Sequence, residues 1–372
     1  MLRQAAAALS SHHNVLIIAD DLTGACDAAA AFAHRNLATR VFLDPADHSA
    51  STRGAVALTT ESRDIDPAHL RERLMPVTGW YTMDSLFLKK IDSMFRGNTF
   101  AEIAVMADLF PEAILYISPA FPALGRKCIA GELHWSDAAG EGRLDLSEHL
   151  RQNGLRVQRL PVAGAEAMAQ RLRAEVEKGH RIFLQDASTD ADLRETAAAI
   201  SNTLETAILW VGSAGLSHTL AHFLLHENTA SEAEAAQRQG PVYFFIGSDH
   251  PVTRLQVKKL RDADNGTPYR LVDVPRGRTT PQAIREAMAG ASPEEIGCIF
   301  LTGGDTAMFV CAALGASSIE VGGEFAPGIP FGRLHGGDFS GVPVILKSGG
   351  FGEPELLCRI RSMFEPGKEH RS

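Results

Sequence analysis

The 372-residue sequence has no run of about 18 consecutive apolar residues, so it predicts no membrane-spanning helix. Its five cysteines are odd in number, scattered and without a C-x-x-C pair, which indicates neither a disulfide framework nor a zinc site. Lys and Arg (36) are outnumbered by Asp and Glu (45), and the formal charge of -9 gives no basic field for nucleic acid. We therefore expect a protein of the reducing cytoplasm, without a nucleic-acid or membrane partner.

Common catalytic signatures are also absent. The Walker pattern G-x-x-x-x-G-K-[ST] does not occur, and no G-x-G-x-x-G follows the first predicted strand. The 14 histidines show no H-E-x-x-H spacing, and there is no G-x-S-x-G elbow. The sequence therefore carries no signature of a Walker nucleotide site, a zinc peptidase or a serine hydrolase.

The composition, 45% hydrophobic and 22% charged, is that of an ordinary globular protein, and the length is sufficient for two domains. Short apolar runs alternate with helical patterns, which predicts an α/β fold in which each domain has a mainly parallel sheet flanked by helices. The stretch between His226 and Gly240, rich in Ala, Glu, Gln and Ser, is interpreted as a connector. We expect one domain over residues 1–230 and another over residues 231–372, with residues 1–13 as a loose tail.

The predicted strands are 15–19, 40–43, 55–59, 86–91, 113–117, 181–184, 207–211, 242–246, 271–274, 298–302, 318–321 and 342–346. The predicted helices are 24–35, 67–75, 99–109, 165–178, 191–204, 216–226, 252–261 and 281–288. In open α/β sheets, ligands bind beyond the carboxyl ends of the strands. Polar clusters that follow a strand are therefore the candidate sites.

The densest such cluster runs from Lys89 to Asn98, where an apolar strand gives way to K-K-I-D-S-M-F-R-G-N. Burying that much charge is costly unless each group is paired or bound to a ligand. Arg96 offers a planar fork suited to a carboxylate or a phosphate, while Lys89 and Lys90 point to opposite faces of the strand. A solvated loop of charges is the alternative, but the pattern favours a site for a small polyhydroxylated anion.

Asp20 and Asp21 follow the first strand and precede Thr23 and Gly24, which open a helix. Two adjacent carboxylates at a strand end suit metal binding, hydroxyl binding or proton transfer. Helix capping by Asp21 or Thr23 would account for one acid but not for both. The pair is therefore a second candidate.

Weaker signals follow three other strands. The loop 118–126 contains two prolines and ends at Arg126, Asp186 follows the strand 181–184, and G-S-A-G follows the strand 207–211. Each could serve a site or simply end a strand or cap a helix.

In the second domain, glycine takes the place of charge at the strand ends. The turns are G-S-D at 247–249, G-G-D-T at 303–306 and S-G-G-F-G at 348–352. Small residues let backbone N–H groups approach a phosphate closely. One such turn would indicate only left-handed backbone, but three at three strand ends favour an anionic cofactor.

These motifs resemble those of the four-carbon acid sugar kinase family. The matching segments are A-D-D-L-T-G-A at 19–25, the 89–98 segment, P-A-F-P-A-L-G-R at 119–126, G-S-A-G-L at 212–216, G-G-D-T-A at 303–307 and K-S-G-G-F-G at 347–352. They occur in the family's order and extend over nearly the whole chain. The family joins an amino-terminal sugar-acid-binding domain to a carboxyl-terminal nucleotide-binding domain.

The resemblance implies a role for each matched residue. The residues implied in catalysis are Asp20, Asp21, Asp92 and Arg96. Those implied in binding the acid are Lys90, Ser93, Gly97, Asn98 and Arg126. Those implied in binding ATP are Ser248, Gly303, Gly304, Asp305, Thr306, Gly349, Gly350 and Gly352.

The chain departs from the family pattern in three places. Met94 and Phe95 replace Thr and Leu, Cys26 stands where Asn is usual, and the region around residues 132–155 is short. These departures leave the reaction class unchanged and leave the identity of the acid open.

We therefore expect an ATP-dependent kinase that phosphorylates a terminal hydroxyl of a threonate-, erythronate- or 3-oxo-tetronate-type acid, in a cleft between the domains. Mg²⁺ is expected to accompany ATP, with Asp305 or a first-domain acid as a candidate ligand, and the general base is one of Asp20, Asp21 and Asp92. One alternative is a nucleotide-responsive binding protein, but the presence of all three acids favours catalysis. Another is a metal-dependent phosphatase, which would need no nucleotide-binding domain and which a measurement of ATP binding would distinguish. The expected partners are the sugar acid and ATP, and a homodimer stays open.

Overall fold

The computed structural model describes residues 14–35, 37–47, 54–83, 85–137, 140–204, 206–224, 238–263 and 268–365. Within these ranges the chain divides into two compact units. The first unit holds the described residues up to Asp20 and those from Pro45 to 224. The second unit holds Asp21–Asp44 and the described residues from 238 onward.

The helices and strands follow in chain order. Up to residue 224 they are β1 (Asn14–Ala19), α1 (Leu22–Ala33), β2 (Thr39–Phe42), β3 (Gly54–Thr59), α2 (Leu70–Leu74), β4 (Ser85–Lys90), α3 (Thr99–Leu109), β5 (Ile114–Ser118), β6 (Arg126–Ile129), β7 (Glu132–Asp137), β8 (Gly140–Asp145), α4 (Leu146–Gln152), β9 (Val157–Leu160), α5 (Ala165–Glu177), β10 (Ile182–Gln185), α6 (Asp190–Thr203), β11 (Ile208–Gly212) and α7 (Ala214–Leu224). After residue 238 they are β12 (Val242–Ile246), α8 (Pro251–Asp262), β13 (Tyr269–Asp273), α9 (Pro281–Ala287), β14 (Cys298–Thr302), α10 (Gly304–Ala313), β15 (Ser318–Ala326), β16 (Ile329–His335), β17 (Pro343–Lys347) and α11 (Leu356–Met363).

Seven parallel strands form the sheet of the first unit, in the order β3-β1-β4-β11-β5-β10-β9. Parallel strands covered on both faces are apolar along their length, and β1 is buried from Val15 to Ala19. Because the strands run the same way, their carboxyl ends share one edge. Ala19 of β1, Lys90 of β4 and Gly212 of β11 are register neighbours there.

A small antiparallel sheet, β6-β7-β8, is attached to this edge. Cys128 of β6 and Ala187, which follows β10, exchange backbone hydrogen bonds of 2.8 and 2.9 Å. The Gly131 N–H also donates to the Asp186 carboxylate at 2.8 Å. Asp186 therefore anchors the small sheet, and this favours the structural reading of that residue.

The sheet of the second unit has the order β13-β12-β14-β17-β16-β15-β2. The first four strands are parallel, and the remaining pairs are antiparallel. Phe244, Phe300 and Phe364 lie in the core on one face. Ile246, Thr302 and Lys347 end β12, β14 and β17 in register, so the turns after them lie side by side.

The chain first enters the second unit at Asp21. All 12 residues of α1 are buried, and its alanines at 28–31 allow close packing against β15. β2 then pairs antiparallel with β15, with Thr39 opposite Val321 and Phe42 opposite Ser318. The connector near residue 230 predicts a single boundary, whereas the chain also crosses between the compact units at 20/21 and at 44/45.

The predicted fold class, a mainly parallel α/β fold in two parts, is confirmed. Every predicted strand and helix overlaps an observed one. The predicted tail 1–13 and residues 225–237, which include most of the predicted connector, lie outside the described residues. Within the described ranges, no helix combines the length and the hydropathy that a membrane span requires.

Candidate functional site

In the first unit, the turn after β4 is organised by Asp92. This carboxylate is buried, and it accepts hydrogen bonds from the Met94 and Arg96 amides at 2.9 and 3.2 Å. The Arg96 guanidinium adds bonds through Nε at 3.0 Å and Nη2 at 2.5 Å. Burial raises the pKa of Asp92, but the hydrogen bonds and charge of Arg96, the charge of Arg63 and the Met94 amide together hold that pKa well below its usual range. Asp92 is therefore a fixed anion that orients Arg96.

The same turn contains a strained backbone position. Phe95 adopts a left-handed conformation with φ of 56°, which costs about 1–2 kcal/mol for a residue with a side chain. Its ring is buried and stacks on Phe100, with ring centroids 4.9 Å apart. Phe95, which stands where the family pattern has Leu, therefore contributes to the packing beneath the turn.

Arg63 was not identified from the sequence, yet it links the two acidic motifs. Its Nε donates to Asp20 Oδ2 at 2.6 Å, and its Nη2 lies 3.8 Å from Asp92 Oδ2. Arg63 lies in a loop after β3 that contains no recognised motif, so no motif identifies it. Its position just after a strand was the feature of the sequence that could have marked Arg63 as a candidate site residue.

Asn98 and Gly97 hold the Arg63 loop in place. The Asn98 side chain donates to the carbonyls of Ser62 and Ile65 at 2.9 and 2.7 Å, and its backbone N–H donates to the Arg63 carbonyl at 2.9 Å. A Cβ atom at Gly97, whose φ is +65°, would collide with the Arg63 carbonyl. These two predicted acid-binding residues therefore position Arg63.

Asp20 lies at the centre of this cluster and is 1% exposed. Its Oδ2 is bound to Arg63, whereas its Oδ1 is buried and accepts no hydrogen bond from any described residue. A buried carboxylate oxygen without a donor is costly unless a ligand or water supplies one. Asp20 therefore has one carboxylate oxygen that is fixed by Arg63 and one that is not.

The remaining predicted acid-binding residues surround the cluster. Arg126, at the start of β6, donates through Nη1 to the Ser93 hydroxyl. Lys90 is buried at the end of β4, next to Ala19 in register. Lys89 points to the other face and forms a fully buried ion pair with Glu102 at 2.7 Å, as a structural residue would. Burial raises the pKa of Glu102, against the opposing effect of Lys89.

In the second unit, the three glycine turns contact one another. A Cβ atom at Gly247 would collide with Thr306, and one at Gly349 would collide with Ser248. The Gly303 N–H donates to the Lys347 carbonyl at 3.0 Å. Gly350 faces the ring of His250, and Gly352, with φ of +83°, packs beside Gln256 and Leu356. The structure therefore brings the predicted nucleotide-binding residues of these turns together.

Asp21 belongs to the second unit, in contrast to its neighbour Asp20. It caps α1 by accepting from the Gly24 N–H at 2.5 Å. A Cβ atom at Gly304 would come within 2.6 Å of Asp21 Oδ2, so the carboxylate lies directly against the start of α10. Adjacent acids in the sequence thus have different surroundings.

Asp305 is 57% exposed in the first turn of α10, and its carboxylate lies 3.0 Å from Arg276 Nε. Among the described residues, no group of three or more His, Cys, Asp or Glu side chains is placed to hold a metal ion. Mg²⁺ commonly takes one or two carboxylates together with substrate phosphates. The carboxylates of Asp21 and Asp305 fit that smaller requirement.

Comparisons with known proteins agree with the motifs. A family model described as a sugar-binding N-terminal domain matches residues 15–220, and one described as a nucleotide-binding C-terminal domain matches residues 272–357. A D-threonate kinase of Cupriavidus necator is 30% identical, over 92% of this chain and 96% of its own length. A D-erythronate kinase of Heliobacterium modesticaldum is 27% identical, over 93% of this chain and 95% of its own length.

Solved structures support the fold. A Haemophilus influenzae protein superposes with a TM-score of 0.70 at 19% identity, over 94% of this chain and 100% of that one. A Salmonella typhimurium protein gives a TM-score of 0.71 at 19% identity, over 94% of this chain and 98% of that one. Membership of a family is shown by two findings: the family models match more than half of the chain, and one relative is 30% identical. The chain belongs to the four-carbon acid sugar kinase family, as its motifs predict.

Proposed function

We propose that this protein transfers the γ-phosphoryl group of ATP to a terminal hydroxyl of a four-carbon sugar acid. Family membership and the names of the relatives, which include D-threonate, D-erythronate and 3-oxo-tetronate kinases, support this reaction class. The observation that carries the proposal is Asp20 Oδ1, a buried acceptor beside Arg63 that no described residue satisfies.

In the first unit, the acid's carboxylate would pair with the guanidinium of Arg96, which Asp92 orients and which is 61% exposed. Lys90 and Arg126 would add positive charge. Asp20 would accept the proton of the reacting hydroxyl, because its Oδ1 is available and Asp92 is already saturated with donors. Arg63 would hold Asp20 in the orientation this requires.

In the second unit, the turns at 247–249, 303–306 and 348–352 would bind the phosphates through backbone N–H groups. Mg²⁺, when bound with ATP, would neutralise phosphate charge, and Asp21 and Asp305 are the carboxylates that we propose to hold it. We propose Asp21 for this role rather than as the base, because it lies against Gly304 in the second unit.

Coupled ADP release tests the proposal on a panel of D-threonate, D-erythronate and 3-oxo-tetronate, with a six-carbon sugar acid as the length control. We expect turnover on at least one four-carbon acid and none above background on the longer acid. ATP binding without turnover on any acid would instead support a nucleotide-responsive binding protein. A cytoplasmic location and a homodimer stay predictions.

A further inference from the structure

Lys347, the last residue of β17, is fully buried and was given no role by the motifs. Among the described residues its ammonium makes no ion pair, which is uncommon because a buried charge usually has a charged partner. Desolvation lowers the pKa of Lys347 to about 7. The fold therefore retains a costly cation directly beneath the glycine turn 348–352.

The ammonium is bound by oxygen atoms alone. It donates to the carbonyls of Ser348 and Gly349 at 3.2 and 2.9 Å and to the Thr253 hydroxyl at 2.9 Å. The Thr253 hydroxyl in turn donates to the Gly349 carbonyl at 2.8 Å. Lys347 thus holds the carbonyls of Ser348 and Gly349, and Thr253 of α8 shares the second of these two.

Gln256, one turn further along α8, continues this arrangement. Its Nε2 donates to the carbonyls of Phe351, Gly352 and Glu353 at 3.1, 3.1 and 2.9 Å. The carbonyls of the turn are therefore directed at buried side chains. Together, the side chains of Lys347, Thr253 and Gln256 donate hydrogen bonds to five carbonyls of this segment, those of residues 348, 349, 351, 352 and 353.

This orientation decides where the N–H groups point. No peptide bond in the described chain is cis, and in a trans peptide the N–H points opposite to the carbonyl of the same unit. The amides of Gly349, Gly350 and Gly352 therefore point away from Lys347, Thr253 and Gln256. Within the described residues these three amides donate no hydrogen bond.

We propose that Lys347, with Thr253, is a positioning residue that aims the amides of Gly349 and Gly350 at the phosphates of a nucleoside triphosphate. The inference rests on the proposed function, since it takes ATP as the ligand. The buried ammonium fixes the turn and gives it a positive charge that the phosphates neutralise. Lys347 does not touch the ligand; it acts through the two peptide units that it binds.

Lys347→Met tests the role of the charge, because methionine keeps much of the length and removes the ammonium. Titration calorimetry with ATP and with adenosine separates phosphate binding from base binding. We expect the Kd for ATP to rise about 10- to 100-fold, as for loss of hydrogen bonds to a charged group, and the Kd for adenosine to change less than about twofold. Lys259→Met, which removes a surface lysine of α8 paired with Glu355, is the matched control and should bind both ligands as the unaltered protein does.

Thr253 provides an independent test if Lys347→Met fails to fold. Thr253→Val keeps the shape and removes the hydroxyl, so we expect ATP affinity to fall about 3- to 10-fold with adenosine affinity unchanged. Thr253→Ser, which restores the hydroxyl, should restore ATP affinity. Unchanged ATP affinity in Thr253→Val, or an equal loss for ATP and adenosine in either variant, would overturn the inference.

The two proposals fail differently. If the unaltered protein binds no ATP, the proposed function itself is contradicted. If the unaltered protein binds ATP and Lys347→Met binds it equally well, only the role of Lys347 is contradicted.

Discussion

The two units present different chemistry at the ends of their parallel strands. The first unit places charged side chains there, with Arg63 and Arg96 bound to Asp20 and Asp92. The second unit places glycine turns there, with the buried Lys347 bound to the carbonyls of one of them. Side chains discriminate among acceptors of different shape, whereas amides bind any phosphate that fits. Under the proposed function, acceptor identity would therefore be encoded in the first unit and phosphate binding in the second.

This difference also predicts how each unit is damaged. A side-chain site is lost when a functional group is removed. A backbone site is lost when bulk is added or when the residues that orient the amides change. The following predictions test that contrast.

The largest effect is expected for Asp20→Asn. The substitution keeps the shape and removes the proton acceptor, so kcat should fall about 10²- to 10⁴-fold. ATP affinity, measured by calorimetry, should stay within twofold. Asp108→Asn, at an exposed carboxylate paired with Arg71, is the control and should keep full activity. Retention of more than a tenth of kcat by Asp20→Asn would remove Asp20 from catalysis.

Arg63→Met should lower kcat and raise the KM for the acid, so that kcat/KM falls about 10- to 100-fold, because the substitution removes the charge-assisted hydrogen bond that orients Asp20 and leaves that carboxylate buried without its partner. The KM for ATP should change less than twofold. Arg71→Met, at the surface of α2, is the matched control. Equal increases in both KM values would mean that Arg63 does not belong specifically to the acid site.

Gly304→Ala tests the second unit by adding bulk. The new Cβ would come within 2.6 Å of Asp21 Oδ2, so Asp21 or the start of α10 must shift. We expect the KM for ATP to rise about tenfold, as for loss of one charge-assisted contact, with the KM for the acid unchanged. Gly164→Ala, at an open position with φ of −59°, is the control. An unchanged KM for ATP would contradict a role for the Asp21–Gly304 contact.

The smallest effect is a pH dependence of ATP binding. Phosphate binding favours the charged form of Lys347, so the bound-state pKa lies above the free value of about 7. The affinity for ATP is therefore greatest at a pH below the pKa of Lys347 in the free protein. It falls as the pH rises through the pKa of Lys347 in the ATP complex. Between about pH 7 and 9, where phosphates are ionised, affinity should fall several-fold in the unaltered protein and stay constant in Lys347→Met.

Other ionisable groups near the turn need separate controls. His250 faces Gly350 from the start of α8, and Glu353 follows the turn and pairs with Arg359. His250→Asn and Glu353→Gln should each retain the decline in ATP affinity. Loss of the decline in either variant would assign it to that group.

Much of the fold could be predicted because buried parallel strands are apolar along their whole length. The runs at 15–19 and 298–302 become β1 and β14 for this reason. The small sheet β6-β7-β8 was not predicted, because its partly exposed strands lack a continuous apolar run. The entry of α1 into the second unit was also missed, since its alanine-rich sequence does not show which sheet will cover it.

The candidate site was predicted where a residue lies in a dense motif. Asp92, Arg96 and the glycine turns stood out because charge or glycine is concentrated just after a strand. Arg63 did not stand out, since one arginine in a polar loop is ordinary, and its pairing with Asp20 depends on the register of β1 with β3. Lys347 was part of a motif, but its burial and its carbonyl partners are properties of the folded turn.

The early entry of the chain into the second unit has a consequence for synthesis and for protein engineering. The ribosome completes α1 and β2 about 200 residues before β12 begins, which at about 5–20 residues per second is a delay of roughly 10–40 s. During that interval β15, which pairs with β2, and the sheet that covers α1 do not yet exist. An expressed fragment that starts after the predicted connector would lack both elements. A separately folding second unit should therefore need residues 21–44 supplied in trans or fused to it.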